Sequence, residues 1–348
     1  MVIKMDSQYN QPQKLLKLNK PMIYCYTILG TLFSIIEDKD MPWIYSNFTQ
    51  IMYHEGWKMF IFEDQKNILD KCPFIQTEFN VLNEKQKKEH PFIDIIIHTI
   101  SEGNYIFLFL DWKYIFPNST KNSFSHSTLI SGYDKNKKIF YLSDNYNNGK
   151  FTTLEIDMKT VEKAFYSAWN EAVKNIKEYD DLANCIFLKT IIAFKRNEKV
   201  YIEFDRKGFI IQLKSFINSE TTYVFGEKDK KLYGYSSYNW IIDDLLKGRL
   251  EFGLKNYHFL YEHKYLMHKR LEYMVNNNII SSSHNYIERS NELINDFLII
   301  RNLYIKSQLV DKSKKGNIIL DICEKIRSSK EKEKLMYEEL IAELDRDV

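Results

Sequence analysis

The chain lacks most of the short motifs that would fix its chemistry at once. Its four cysteines, Cys25, Cys72, Cys185 and Cys323, contain no C-x-x-C pair. That excludes a zinc ribbon and a dithiol redox centre, and fits free thiols in a reducing compartment. No Gly-rich phosphate loop and no zinc signature occurs, so no metal or cofactor is called for. Charge of one sign is missing too. The 49 basic and 47 acidic residues leave a net charge of +2, without the basic field that nucleic-acid binding uses. No run reaches the roughly 18 to 20 apolar residues of a membrane-spanning helix. Residues 22–36 imitate a signal peptide behind Lys14, Lys17 and Lys20. However, Thr27, Thr31 and Ser34 interrupt the run, no small-x-small cleavage pattern follows, and Glu37, Asp38, Lys39 and Asp40 come next. A cytoplasmic protein is the expectation.

What is abundant is material for a core. Of 348 residues, 44% are hydrophobic, with 23 Phe and 24 Tyr. This is enough to offset the ordering entropy of one large or two ordinary domains. After a polar lead-in, residues 22–36 are predicted as a buried apolar helix. Residues 59–62 read as a strand, residues 95–100 fit helix or strand equally, and the YIFLFL run at 105–110 reads as an interior strand. Residues 127–144 carry a hairpin signal, two apolar runs around a polar turn at 133–138. A helix is predicted over 157–176, then strands over 185–194, 200–204, 209–213 and 222–225, so that the sheet continues past residue 220. From 235 onward the pattern turns helical, over 238–246, 257–275, 286–307 and 318–344, with Ser283 or Asn285 as a cap and a polar break at 311–316. The expectation is an α+β domain over 1–235 and a helical domain over 236–348.

Cysteine catalysis needs a partly exposed thiolate, an imidazole in reach, and a group that holds the imidazole in one tautomer. Cys25 follows Pro21 near the start of the apolar run, where unpaired helix amides favour a thiolate. A lone cysteine there is as readily a core residue. His126 opens the first hairpin strand and Asp144 closes the second. A turn centred at residue 135 would pair them directly, whereas a slip of one residue would place them on opposite faces. The alternative is a surface histidine beside an ordinary turn aspartate.

The run FSHSTLISGYDKNKKIFYLSDNYNNGKF over 124–151 resembles the histidine-bearing hairpin of papain-like peptidases of the bacteriocin-processing type. It is closer to the butirosin biosynthesis acyltransferase family. Leu110 and Asp111, Pro117, the H-x-x-x-x-x-G-Y-D run from His126 to Asp134, and Asp144 match that family's pattern, and Cys25 matches its nucleophile position, 101 residues before His126. The resemblance implies a papain-like fold turned to amide-forming acyl transfer. An acyl or peptidyl carrier protein would supply a thioester and a small-molecule amine would accept the acyl group, in antibiotic or other secondary-metabolite assembly. Cys25 would be the nucleophile, His126 the base and Asp144 its orienting group. Papain-like peptidases place an oxyanion-donating Gln shortly before the cysteine; here Asn19 stands six positions before it, either as a donor or as part of an Asn-Lys-Pro turn.

Asp111 is a candidate for binding the incoming amine or, alternatively, for holding turn amides. His258, His263 and His268, spread by about 140° per step, cannot form one metal face and read as a solvated helix surface. The Glu/Lys alternation over 329–343 reads as i,i+4 pairing on an exposed helix, and Lys312, Lys314 and Lys315 are possible contacts for an acidic carrier. A homodimer stays open. Two rivals share the evidence: a thiol hydrolase or peptidase with the same triad, and a catalytically silent, carrier-binding scaffold.

Overall fold

The computed structural model describes residues 11–55, 57–65, 68–81, 91–116, 123–147, 149–174, 190–222, 231–248 and 253–346. In chain order the strands are β1 (Gln13–Leu15), β2 (Ile51–His54), β3 (Met59–Phe62), β4 (Ile75–Val81), β5 (Tyr105–Asp111), β6 (Ser125–Asp134), β7 (Ile139–Asn147), β8 (Lys150–Asp157), β9 (Thr190–Arg196) and β10 (Lys231–Tyr233). The protein is α+β, with antiparallel sheets and a carboxy-terminal helical region. Among the described residues no helix is long and apolar enough to cross a membrane.

The chain divides into two compact units, one from Met1–Glu37 and Ile68–Val200, the other from Asp38–Asn67 and Tyr201–Val348. The division therefore does not fall at residue 235: the early segment 38–67 and the stretch from 201 onward join the helical unit.

The first unit is built on a sheet ordered β4-β9-β5-β6-β7-β8, with β1 pairing the far end of β6. β5 and β1 share one edge of β6: β5 pairs Ser125 to Ile130 and β1 pairs Gly132 to Asp134. The aromatic and branched side chains of β5 suit this interior position. Ile106, Leu108 and Leu110 bury against Phe92, Ile96 and Ile100 of the helix Phe92–Ser101 and against Val161, Phe165 and Trp169 of the helix Met158–Lys174. Residues 95–100 are thus helical. Each such side chain contributes about 1.5–3 kcal/mol by leaving water.

The helix predicted over 22–36 is observed as Thr27–Ile35. It starts late because Tyr26 is extended (φ −118°, ψ 141°), which leaves Cys25 one residue ahead of the N-cap. Gly30 of this helix is where Phe151 of β8 approaches; a Cβ there would lie 2.4 Å from its ring.

The second unit holds the sheet β10-β2-β3 and the helices Arg206–Asn218, Gly234–Leu246, Leu254–Asn276, Tyr286–Leu309 and Lys312–Arg346. The strands expected over 200–204 and 209–213 do not form. Asp205 caps a helix by accepting the Gly208 amide, and Phe209, Ile210, Leu213 and Phe216 recur at helical, not strand, spacing on its buried side. Of the expected strand 222–225, residues 223–225 lie outside the described residues, as do 185–189 of the strand expected over 185–194. Among the described residues the larger sheet gains no strand after Arg196. Gly234 turns the chain into its helix with φ 45°, where a Cβ would meet the Phe216 carbonyl.

Two helical readings are corrected. His263 and His268 are buried, not solvated: the 23-residue helix Leu254–Asn276 lies deep in its unit, so polar residues on it face partners and not water. The helix Lys312–Arg346 likewise buries Glu333, Met336, Tyr337, Leu340 and Leu344. Among the described residues it makes the i,i+4 pair Lys334–Glu338, while Lys332 to Asp296 and Glu339 to Arg289 reach other helices. The polar break shrinks to Val310 and Asp311, and Asn285 is the N-cap of Tyr286–Leu309 by backbone geometry alone, without a side-chain bond.

Candidate active site

The hairpin places His126 and Asp144 together, although not by direct pairing. Near the turn β6 and β7 pair Asp134 with Ile139 and Tyr133 with Phe140, so that paired positions sum to 273. With that odd sum His126 and Asp144 would occupy opposite faces. A bulge between Ile130 and Gly132 shifts the register, and Ile130 pairs with Leu142 and Leu129 with Ser143, a sum of 272. The even sum returns His126 and Asp144 to one face. Asp144 stands diagonal to His126, within reach of a long side chain. The expected cross-strand pair is thus replaced by a diagonal one, and the bulge at Ser131 makes it possible.

The imidazole Nδ1 lies 2.8 Å from Asp144 Oδ2 and 2.9 Å from the Ser127 carbonyl. Both neighbours are acceptors at this nitrogen, so Nδ1 carries the proton and Nε2 keeps its lone pair. His126 retains 20% side-chain exposure while Asp144 has none. Asp144 is a three-way junction. Its Oδ1 accepts the Thr27 hydroxyl at 2.5 Å and the Asn145 amide at 2.7 Å, while Oδ2 holds the imidazole.

Those same bonds tie the hairpin to the segment bearing Cys25. Thr27 is the first residue of the helix behind Cys25, and the Asn145 side-chain amide donates to the carbonyls of Tyr24 (2.8 Å) and Cys25 (3.2 Å). The three expected catalytic residues therefore belong to one hydrogen-bonded assembly. The first intrahelical bond is Gly30 N to Tyr26 O, and the Tyr26 side chain makes no cap. The helix thus points first-turn amides toward the chain just after Cys25. Cys25 itself is buried, at 3% exposure.

Aromatic residues wall the imidazole. Trp112 packs at 4.4 Å between centroids, and Phe124, half exposed, at 5.8 Å. Among the described residues the buried Trp112 Nε1, Asn145 Oδ1 and Thr152 Oγ1 have no hydrogen-bond partner. Tyr146 donates or accepts at Thr128 (2.7 Å), and burial, then the charge of Asp144, pushes its hydroxyl far above the ordinary tyrosine range.

Asn19 and Asp111 take other places. Asn19 donates its side-chain amide to the Ile36 carbonyl at 3.0 Å, and its backbone amide to Ser34. It therefore sits at the far end of a nine-residue helix, about 14 Å along the axis from its start. The oxyanion role expected for it does not fit, because its donor is already engaged away from Cys25. Asp111 is fully buried and accepts four donors: the amides of Lys113 (3.1 Å) and Phe124 (3.2 Å) and the hydroxyls of Ser123 (2.5 Å) and Ser167 (2.7 Å). Burial opposes its ionisation, but these bonds prevail and hold it below the usual carboxylate range. With both oxygens occupied it is no amine site. It caps Trp112–Ile115, accepts the Phe124 amide, and so places both aromatic walls beside His126.

Thr27, Asn145 and Trp112 did not stand out in the sequence. Thr27 left a trace, a hydroxyl inside an apolar run, and Asn145 adjoins Asp144; Trp112 is one of five Trp and carries no signal of its own. Among the described residues no group of His, Cys, Asp and Glu can hold a metal. No known family model matches the chain, and no curated protein matches it.

Proposed function

We propose that this is a cysteine-dependent acyltransferase of papain-like type, acting in the cytoplasm. It would move an acyl group from a carrier-protein thioester to the amine of a small molecule in secondary-metabolite assembly. The observation that supports this most is the Asp144 junction, whose carboxylate holds both the imidazole of His126 and the Thr27 hydroxyl behind Cys25. The likeness of residues 124–151 to the butirosin acyltransferase hairpin supplies the choice of acyl transfer and of a carrier donor.

The chemistry follows from the proton positions. With Nδ1–H fixed toward Asp144, Nε2 takes the Cys25 proton, and the imidazolium stabilises a thiolate that otherwise needs a pH near the free cysteine pKa of about 8.5. The thiolate attacks the thioester carbonyl, the carrier thiol leaves with the proton from Nε2, and an S-acyl cysteine remains. An amine then attacks, His126 takes its proton, and the Cys25 sulfur leaves and is reprotonated as the amide forms. First-turn amides of Thr27–Ile35 are the available oxyanion donors in place of Asn19. Substrate would approach from the side of His126 and Phe124, which keep solvent contact.

The burial of Cys25, together with the placement of Asn19, favours a second reading, a carrier-binding protein without turnover. Intact mass after brief mixing with an acyl thioester separates the two. Acylation of the wild type that is absent in Cys25→Ala supports the enzyme; no adduct and no turnover across a thioester panel supports the scaffold. If thioester is consumed at the same rate with and without amines, water is the acceptor and the protein is a thiol hydrolase.

A further inference from the structure

Consecutive residues of a regular strand point to opposite faces, yet the side chains of Asp144 and Asn145 both reach the segment around Cys25. Asp144 Oδ1 accepts the Thr27 hydroxyl, and Asn145 Nδ2 donates to the carbonyls of Tyr24 (2.8 Å) and Cys25 (3.2 Å). A second bulge allows it. β7 pairs with β8 at Asp144–Thr152 and again at Asn147–Lys150, so Asn145 and Tyr146 together oppose the single residue Phe151. The break frees Asn145 from the alternation and re-aims its side chain. With Nδ2 engaged, Asn145 Oδ1 is left buried, and among the described residues it has no hydrogen-bond partner. An unmet buried acceptor opposes folding. A residue that only fastened the strand would do better without it, and a local rule broken in this way belongs with function.

We propose that Asn145 is a positioning residue for Cys25. The inference deepens the acyltransferase reading and rests on it, since that reading makes Cys25 the nucleophile. Peptide planes are rigid, and the two carbonyls that Asn145 holds belong to the planes immediately before and after the Cys25 Cα. One side-chain amide thus fixes both backbone torsions of Cys25, and with them the direction in which its Cβ–Sγ bond leaves the chain. The Asn145 backbone amide donates to Asp144 Oδ1 at 2.7 Å, and Asp144 Oδ2 holds the imidazole of His126. Nucleophile and base are therefore both referred to two adjacent residues of β7, which keeps Sγ aligned for proton transfer to Nε2. Asn145 acts through the main chain of Cys25 and not on the substrate.

Alkylation of Cys25 by iodoacetamide at neutral pH tests it, followed by peptide mass with the buried Cys72 of the same chain as reference. Wild-type Cys25 should react faster than Cys72, and His126→Ala should remove the difference. Asn145→Ala, with unchanged circular dichroism, should slow Cys25 by about tenfold or more, because the thiol no longer meets the imidazole that ionises it. A mere fastener predicts the opposite sign: Cys25 is 3% exposed, and loosening the segment around it would speed its alkylation. Asn145→Gln keeps the amide but lengthens its reach by a methylene. It should slow Cys25 by less, and it carries the same readout if Asn145→Ala does not fold. A rate in either Asn145 variant equal to or above that of wild type, with His126→Ala slow, overturns the role of Asn145 and leaves the acyltransferase reading standing. Wild-type Cys25 no more reactive than Cys72, or no slower in His126→Ala, retires that reading and this role together.

Discussion

His126 in the first unit and His263 in the second both sit among charged and hydroxyl groups, yet their ring nitrogens are used differently. His126 donates Nδ1–H to Asp144 and Ser127, keeps Nε2 available, and retains contact with solvent. His263 is buried; its Nε2 donates to the Thr49 carbonyl at 2.9 Å and its Nδ1 accepts from Lys264 at 3.0 Å. Lys264 in turn pairs with the fully buried Glu333, which also takes the hydroxyls of Tyr238 and Tyr337, while Phe216, Tyr238 and Phe297 surround the ammonium at 5.0–5.3 Å. Both ring nitrogens of His263, the Lys264 ammonium, both Glu333 oxygens and the two tyrosine hydroxyls thus have protein partners. A site differs from a structural network by the valence it leaves open, not by residue type or burial.

The sharpest way to break this contrast is to change a carboxylate in each unit. Asp144→Asn can still accept from Thr27 and Asn145, but its amide cannot accept Nδ1–H from His126. The imidazole then loses its fixed tautomer, and thioester acylation should fall by about 10³ to 10⁴-fold, with stability changed by about 1–2 kcal/mol. Stopped-flow acylation beside urea unfolding measures both; loss of stability with acylation intact would make Asp144 structural. Lys264→Met should do the reverse. Removing one partner of a buried ion pair leaves Glu333 uncompensated and costs about 3–5 kcal/mol, with acylation by the folded fraction unchanged. Lys264→Met/Glu333→Gln should recover part of that loss, since the neutral Gln leaves no bare charge and can accept the Tyr337 hydroxyl while its amide donates to the Tyr238 oxygen.

Acid sharpens the comparison next. Burial, then the charge of Lys264, drives the His263 pKa well below the ordinary 6.5, so the folded imidazole stays neutral where the unfolded one takes up a proton. The stability of the second unit is therefore whole above pH 6.5 and declines below it, by up to about 1.4 kcal/mol per pH unit until the folded ring itself titrates. Urea midpoints between pH 7.5 and 5 in wild type and His263→Gln read this out; an equal slope in both would assign the acid sensitivity elsewhere.

Much of the first unit was legible in the sequence because its signals are local. The YIFLFL run, the polar turn at 135–138 and the apolar spacing of Met158–Lys174 each announce an element without reference to the rest of the chain. What escaped was non-local. A bulge at Ser131 decides whether His126 and Asp144 share a face, and no residue at that position advertises it. Residues 209–213 satisfy both strand and helix patterns until the Asp205 cap is weighed. The burial of His263 depends on partners at Thr49 and Glu333, far away in the chain, so an apparently polar helix face became an interior one. Asn19 looked close to Cys25 by count, but it bonds the carbonyls of Ser34 and Ile36, at the opposite end of the helix that follows Cys25.

The smallest effect concerns the bond that joins the two halves of the site. Thr27→Val keeps the shape of the side chain and removes only the hydroxyl that Asp144 Oδ1 accepts. The Asn145 amide still satisfies that oxygen, so no charge is left bare, and the cost should be about 1 kcal/mol. If this hydroxyl aligns Cys25 with His126, the loss appears in the rate: acylation should slow by about five- to tenfold at saturating thioester, with little change in the concentration needed for half-saturation. If it only fastens the helix to the hairpin, the rate of the folded protein stays constant and the urea midpoint alone moves. Thr27→Ser, which keeps the hydroxyl and drops the methyl, separates the two cases. Alignment predicts that Ser restores the rate, whereas packing predicts that it leaves a deficit in stability equal to or larger than that of Val.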